Sequence, residues 1–261
     1  MTSSRAFSDG KRALIAYLMG GDPNPSLCYD AALSVIEGGA DALELGIPFS
    51  DPIADGPTIQ AASVRALSAG TKPADVLELA RELTKNVRVP IYVMTYLNPI
   101  LRMGLPAFAR AASTSGVTGV IVPDLPIELS DEWLVAARAQ SLETVFLVSP
   151  ATTSSRIDRI VEKCSGFVYL VSVYGVTGER SSLPDYTQEF VSRVKNRVTI
   201  PVALGFGISR PETVKQAIKL GVDGVIVGSA LVSRLANSEG ESALDELRSY
   251  TRELKAATLI A

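Results

Sequence analysis

Two carboxylates near the start of the chain have the residue types and spacing of an acid–base pair. Glu44 interrupts the apolar run ALEL (42–45), and Asp55 follows in IADGP (53–57). A carboxylate in an apolar barrel strand must face the barrel or its mouth, where desolvation raises its pKa toward that of a proton shuttle. A structural glutamate with a fixed partner is the alternative for Glu44. Asp55 is either a second catalytic carboxylate or the N-cap of the next helix.

Glycines after two late apolar runs predict a phosphate site. The segments GFGIS (205–209) and GSA (228–230) each follow such a run. Glycine lets backbone N–H groups approach an anion, and a helix N-terminus adds its dipole. Gly207, Gly228 and Ser229 are the candidate phosphate ligands, and Gly178 is a fourth from an earlier loop. Ordinary turn glycines are the alternative interpretation.

The composition excludes several other chemistries. The chain has no histidine, which rules out histidine triads and histidine metal sites, and no carboxylate cluster suggests a metal, so we expect none. Its lysines fall in the N-terminal segment, in predicted helices or at helix ends, away from any imine-forming position in a barrel mouth. A net charge of -3 and scattered basic residues disfavour nucleic-acid and membrane partners.

Short aliphatic runs alternate with segments of helical period, which predicts repeated βα units around a parallel sheet. Eight such runs favour a closed (β/α)8 TIM barrel of the α/β class over an open doubly wound sheet. The predicted strands are residues 14–18, 42–45, 91–95, 119–122, 144–148, 167–171, 202–204 and 224–227. No linker composition interrupts the pattern, so we expect one domain over residues 1–261.

Two connections are longer than a βα unit needs. Residues 46–57 follow the second predicted strand and residues 172–185 follow the sixth. Active sites of barrels lie in the loops at the carboxyl ends of the strands, so both segments are candidates for closing over a substrate. Residues 1–10 contain no apolar signal core, and no later run is long enough to span a bilayer, which predicts a cytoplasmic protein.

Nearly the whole chain resembles the tryptophan synthase α subunit family. The resemblance is carried by YLMGGDP (17–23), by GSA (228–230) and above all by LELGIPFSDPIADGPTIQ (43–60). It implies an enzyme of tryptophan biosynthesis, a lyase that cleaves indole-3-glycerol phosphate to indole and D-glyceraldehyde 3-phosphate. Glu44 would be its general acid–base group, and Asp55 would accept a hydrogen bond from the indole N–H.

The resemblance also implies roles for aromatic and loop residues. Tyr169 matches the family's active-site tyrosine, with plain barrel packing as the alternative. Tyr17, Tyr96 and Phe206 are expected to wall the indole ring. Thr177 matches the threonine of the family's mobile loop, whose closure excludes water.

A partner follows from the same resemblance. Pro52 and its loop would contact a β subunit that carries pyridoxal phosphate, in an allosteric α2β2 complex, while no cofactor is expected in this chain. Exposed prolines are otherwise rigid turns. The sequence departs from the family pattern at Met19 and at the pair 173–174, and neither position touches Glu44 or Asp55.

Three alternatives remain open at this point. One is a free-standing indole-3-glycerol phosphate lyase that acts without a partner. Another is a weakly active barrel that mainly activates a β subunit. A different phosphosugar barrel, such as an isomerase or epimerase, would share the glycines but lack the 44–60 stretch.

Overall fold

Eight parallel strands close into a barrel in the computed structural model, which describes residues 6–7, 10–171, 183–205, 207–237 and 240–259. Strands that follow one another in the chain are neighbours in the sheet, and β8 pairs back with β1. The strands are Ala13–Met19 (β1), Ala42–Gly46 (β2), Ile91–Met94 (β3), Gly119–Ile121 (β4), Glu143–Val148 (β5), Val168–Val171 (β6), Val202–Gly205 (β7) and Gly224–Val227 (β8). The predicted barrel is confirmed, and every predicted strand end lies within one residue of the observed one.

Helices cover the outside of the barrel. They are Pro25–Glu37 (α1), Pro57–Ser68 (α2), Pro73–Asn86 (α3), Leu97–Met103 (α4), Leu105–Thr114 (α5), Asp131–Ala139 (α6), Ser154–Val161 (α7), Thr187–Lys195 (α8), Pro211–Lys219 (α9), Ser229–Asn237 (α10) and Gly240–Thr258 (α11). A 3-10 helix spans Ile127–Leu129. Several helices begin with proline, whose fixed φ suits the first turn and whose missing N–H is not needed there. No helix in these ranges is long and apolar enough to cross a membrane.

Side chains alternate between the barrel interior and the helix layer, as the pleat of a strand requires. On β2, Ala42 belongs to the interior cluster, whereas Leu43 and Leu45 pack in the layer between strands and helices. Glu44 has the same parity as Ala42 and therefore points into the barrel. The interior cluster also contains Ile15, Tyr92, Ile121, Phe167, Ala203 and Ile226.

Two aspartates form hydrogen bonds to the backbone at the amino-terminal end of the barrel. Each of them comes immediately before a strand. Asp41 accepts a hydrogen bond from the backbone N of Leu14 on β1 (2.7 Å), and Asp223 accepts one from Val202 on β7 (2.8 Å). Each carboxylate thereby accepts a hydrogen bond from a backbone N–H near the start of the strand that comes before it in the chain. This end of the barrel is a structural face, which leaves the carboxyl ends of the strands for a binding site.

Candidate active site

Glu44 lies inside the barrel, between two tyrosines of the flanking strands. It pairs in register with Tyr17 on β1 and with Tyr92 on β3, and its side chain is fully buried. Among the residues that the structure describes, neither carboxylate oxygen of Glu44 has a hydrogen-bond partner. A structural glutamate would have its oxygens satisfied, because an unpaired buried carboxylate is costly. The geometry favours the functional interpretation of this residue.

The surroundings of Glu44 hold its proton at neutral pH. Burial, and to a smaller extent the negative charge of Asp55, raise the pKa of Glu44 to about 8. Desolvation disfavours the charged form of a carboxyl group, and a second carboxylate acts in the same direction. Glu44 is therefore a neutral acid at pH 7 that can give up a proton and recover it.

Asp55 lies in the loop between β2 and α2, almost completely buried. The hydroxyl of Tyr96 donates a hydrogen bond to its Oδ2 at 3.0 Å. Burial raises the pKa of Asp55 to about 6, while this hydrogen bond acts in the opposite direction. The N-cap of α2 is Gly56, with no side-chain cap bond, so the N-cap interpretation of Asp55 is wrong. Asp55 is ionised at neutral pH beside a neutral Glu44.

Tyr17 and Tyr169 interact with this pair from two other strands of the barrel. Both side chains are buried, on β1 and β6. Burial raises the pKa of each phenol, and the charges of Asp55 and Glu44 raise it further. Both hydroxyls therefore stay protonated throughout the physiological pH range. The structure brings Glu44, Asp55, Tyr17 and Tyr169 close together, and the roles assigned to them stay predictions.

Two glycines make room for these tyrosine rings, and the sequence reasoning missed them. A Cβ atom at Gly46 would lie 2.2 Å from the hydroxyl oxygen of Tyr17, and one at Gly205 would lie 2.6 Å from the Tyr169 ring. Both glycines end barrel strands on the inward-facing side. Each glycine is the last residue of its strand and stands two positions after an inward-facing residue. This pattern is the signal that could have identified them.

The glycines proposed for phosphate binding follow adjacent strands. Gly207 comes after β7 with a φ of +80°, and Gly228 immediately precedes α10, which begins at Ser229. Gly228 also lies against Tyr17, since a Cβ there would be 3.3 Å from that side chain. A helix N-terminus beside two glycines at the barrel mouth suits an anion. The phosphate role of these residues stays a prediction.

Three predicted site residues, Thr177, Gly178 and Phe206, lie outside the described residues. Tyr96, predicted as a wall of the indole pocket, follows β3 at the N-cap position of α4. It is buried and stacks on Phe49, with ring centroids 5.2 Å apart. The sequence reasoning missed its hydrogen bond to Asp55.

The loop after β2 exposes apolar surface beside the site. Pro52 is partly exposed, and Ile53 is 76% exposed. An adjacent open groove of about 1000 Å³ is lined by apolar side chains that include Phe49, Leu101 and Met103. Exposed apolar patches of this kind mark interaction surfaces. In the part of the chain that the structure describes, no group of three or more candidate side chains could hold a metal ion.

Comparison with known proteins gives a consistent result over almost the full length. The family model described as tryptophan synthase alpha chain matches residues 4–259. A tryptophan synthase alpha chain from Gloeobacter violaceus is 46% identical over 246 residues, covering 94% of this chain and 89% of the relative. One from Arabidopsis thaliana is 44% identical over 257 residues, covering 98% of this chain and 94% of the relative.

Solved structures agree with the sequence relatives. A chain of tryptophan synthase from Mycobacterium tuberculosis superposes with a TM-score of 0.87 at 39% identity, covering 96% of this chain and 94% of that one. A chain from the tryptophan synthase complex of Pyrococcus furiosus gives a TM-score of 0.86 at 40% identity, covering 94% of this chain and 99% of that one.

Proposed function

The chain belongs to the tryptophan synthase alpha chain family, and from this premise we propose how its residues perform the family's reaction. The chain is a carbon–carbon lyase that cleaves indole-3-glycerol phosphate to indole and glyceraldehyde 3-phosphate. The observation that carries the residue assignment is the fully buried Glu44, unpaired among the described residues and beside an ionised Asp55.

Glu44 is proposed as the proton shuttle. Its neutral carboxyl group donates a proton to C3 of the indole ring, which makes the ring a cationic leaving group. The bond between C3 and the adjacent hydroxyl-bearing carbon then breaks, and its electron pair restores the aromatic ring. The hydroxyl on that carbon loses its proton to the Glu44 carboxylate as the aldehyde forms. The carboxyl group ends in its starting state, so one residue serves both proton transfers.

Asp55 is proposed to stabilise the positive charge that develops on the ring. An ionised carboxylate near the indole N–H stabilises a protonated ring most strongly in a buried site, where solvent screens little. Since its pKa of about 6 lies below neutral, Asp55 carries this charge at pH 7. The order of the two pKa values, Glu44 above and Asp55 below neutral, assigns one residue to acid–base work and the other to charge stabilisation.

The remaining residues are proposed to bind and enclose the substrate. Tyr17 and Tyr96, with Phe206, would wall the indole ring, and the Tyr169 hydroxyl would position Glu44 or the substrate. The phosphate would be held by backbone N–H groups and a hydroxyl. Its proposed ligands are Gly178, Gly207, Gly228 and Ser229. Thr177 would belong to a loop that closes over the site.

A tryptophan synthase β subunit is the proposed partner, since a relative of this fold comes from a tryptophan synthase complex. The surface around Pro52 and the exposed Ile53 would meet it. We propose an α2β2 assembly in which the partner, rather than this chain, carries pyridoxal phosphate. Release of indole beside that partner would let the second reaction consume it.

The test is indole release from indole-3-glycerol phosphate by the purified chain, with and without a tryptophan synthase β subunit. Slow release that the partner accelerates, and that Asp55→Asn reduces strongly, supports the proposal. Fast release without a partner would instead indicate a free-standing lyase. A barrel that only activates the β subunit would release no indole in either condition.

A further inference from the structure

Tyr96 connects the end of β3 to the loop that carries Asp55. Its hydroxyl oxygen accepts a hydrogen bond from the backbone N of Ala54 (3.0 Å) and lies 3.0 Å from Oδ2 of Asp55. Because a backbone N–H can only donate, the phenolic proton points to the carboxylate. One hydroxyl group therefore holds two consecutive residues of the loop, as acceptor for the first and donor to the second.

The Tyr96 ring is itself held by a neighbouring aromatic ring. Phe49 stacks on it at an interplanar angle of 28°, and the hydroxyl of Ser63 on α2 bonds both the backbone N and O of Phe49, each at 2.8 Å. The backbone that follows Tyr96 is held separately, since the backbone N of Leu97 donates to the carboxylate of Asp124 at 2.9 Å. The hydroxyl is thus presented to the loop by a rigid ring, as precise positioning requires.

The backbone of Asp55 is anchored separately from its side chain. The side-chain amide of Gln60 donates to its carbonyl at 2.9 Å, and its own backbone N donates to Pro52. Among the described residues, none donates a hydrogen bond to the other carboxylate oxygen, Oδ1. The direction of the carboxylate is therefore set by its bond to Tyr96.

From these contacts we propose that Tyr96 is a positioning residue for the lyase reaction, which holds the Asp55 carboxylate ionised and aimed at the indole ring. This role is additional to that of a pocket wall, and it rests on the proposed function of Asp55. A hydrogen bond to the charged form of an acid favours ionisation. Without the bond from Tyr96, the effect of burial, which raises the pKa of Asp55, would be unopposed.

The other titratable groups that face Asp55 cannot replace this bond. Within the described part of the chain they are Glu44 on β2, Tyr17 on β1 and Tyr169 on β6, with Asp124 beyond Tyr96. All of them are acids, so none brings a positive charge that would favour the Asp55 carboxylate. The hydroxyl of Tyr96 is the group that opposes the effect of burial.

The first test does not depend on activity. The side-chain carboxyl of Asp55 is titrated by carbon-13 NMR in the full chain, with Asp55→Asn to assign its signal. Tyr96→Phe keeps the ring and removes only the hydroxyl, and we expect it to raise the Asp55 midpoint by about one pH unit. The matched control is Tyr29→Phe, whose hydroxyl accepts a bond from Asn86 on the outer surface. An unchanged Asp55 midpoint in Tyr96→Phe would overturn the proposal.

The second test is the pH dependence of indole formation. In Tyr96→Phe we expect the acidic limb of kcat/KM to move to higher pH by about one unit, with kcat reduced and KM little changed. A residue that only walled the pocket would raise KM and leave that limb in place, which would contradict the inference. A wild-type chain inactive at every pH would instead defeat the proposed function, while the NMR titration would still decide the role of Tyr96.

Discussion

The hydroxyl oxygen of Tyr17 occupies the space that a side chain at Gly46 would need, since a Cβ atom there would lie 2.2 Å from it. Gly46→Ala should therefore displace the Tyr17 ring, with a loss of stability of about 1–3 kcal/mol and lower kcat/KM. Denaturant unfolding and steady-state kinetics measure the two effects. Adding Tyr17→Phe should restore part of the stability, because the nearest remaining ring atom lies 2.9 Å away. No recovery in the double variant would show that the two residues do not conflict.

The activity should follow a bell-shaped pH profile. Asp55 must be ionised and Glu44 protonated, so kcat/KM should rise through about pH 6 and fall through about pH 8. Because the two carboxyl groups interact, the midpoint pH of each limb reports on the pair as well as on the single residue. Asp55→Asn removes a negative charge near Glu44 and should move the alkaline limb to lower pH in the residual activity. A profile of wild-type kcat/KM that stays flat up to pH 9.5 would contradict this assignment.

The buried Glu44 should also make the fold less stable as pH rises. Its pKa in the folded chain is about 8, above the ordinary value of 4.5, so the folded state keeps a proton that the unfolded state loses. Its contribution to stability is complete below about pH 4.5 and is lost as pH rises through 8. Glu44→Gln remains neutral in both states, and its stability relative to wild type should grow by about 3 kcal/mol between pH 5 and 8. Urea unfolding at several pH values measures this difference, and a constant difference would rule out the raised pKa.

A partly buried ion pair should hold the loop after β1 against α2. Arg65 contacts both oxygens of Asp22, at 2.7 and 2.8 Å, and the Asp22 side chain is almost fully buried. Arg65→Met would leave that carboxylate unpaired, and because Arg65 is partly exposed we expect a loss of about 2 kcal/mol. In a chain that already carries Asp22→Asn, Arg65→Met should lower the free energy of unfolding by less. Thermal unfolding of the four chains gives the coupling, and purely additive effects would contradict it.

The barrel could be predicted because its signals are local. Each strand is a short aliphatic run, and alternation along β2 is enough to place Glu44 on the inward face with Ala42. The residue types in continuous segments singled out Glu44 and Asp55, and the family resemblance then implied their separate roles. Both kinds of information lie within continuous segments of the sequence.

Contacts between distant segments could not be predicted in the same way. The bond from Tyr96 to Asp55 joins positions 41 residues apart, and it forms only because β3 lies beside β2 in the closed sheet. The sequence left open whether Asp55 was an N-cap, since the local pattern before a proline fits both interpretations. Similarly, the need for glycine at position 46 depends on a tyrosine ring from another strand.

The most direct test of the account compares the same substitution at two glutamates of the barrel strands. Glu44→Gln removes the proposed proton shuttle, whereas Glu143→Gln changes a glutamate on β5 whose carboxylate accepts a bond from Tyr92. With folding checked by circular dichroism, Glu44→Gln should lower kcat for indole release at least about 100-fold, and Glu143→Gln should retain most of the activity. A folded Glu44→Gln chain that still cleaves indole-3-glycerol phosphate at the wild-type rate would contradict the account.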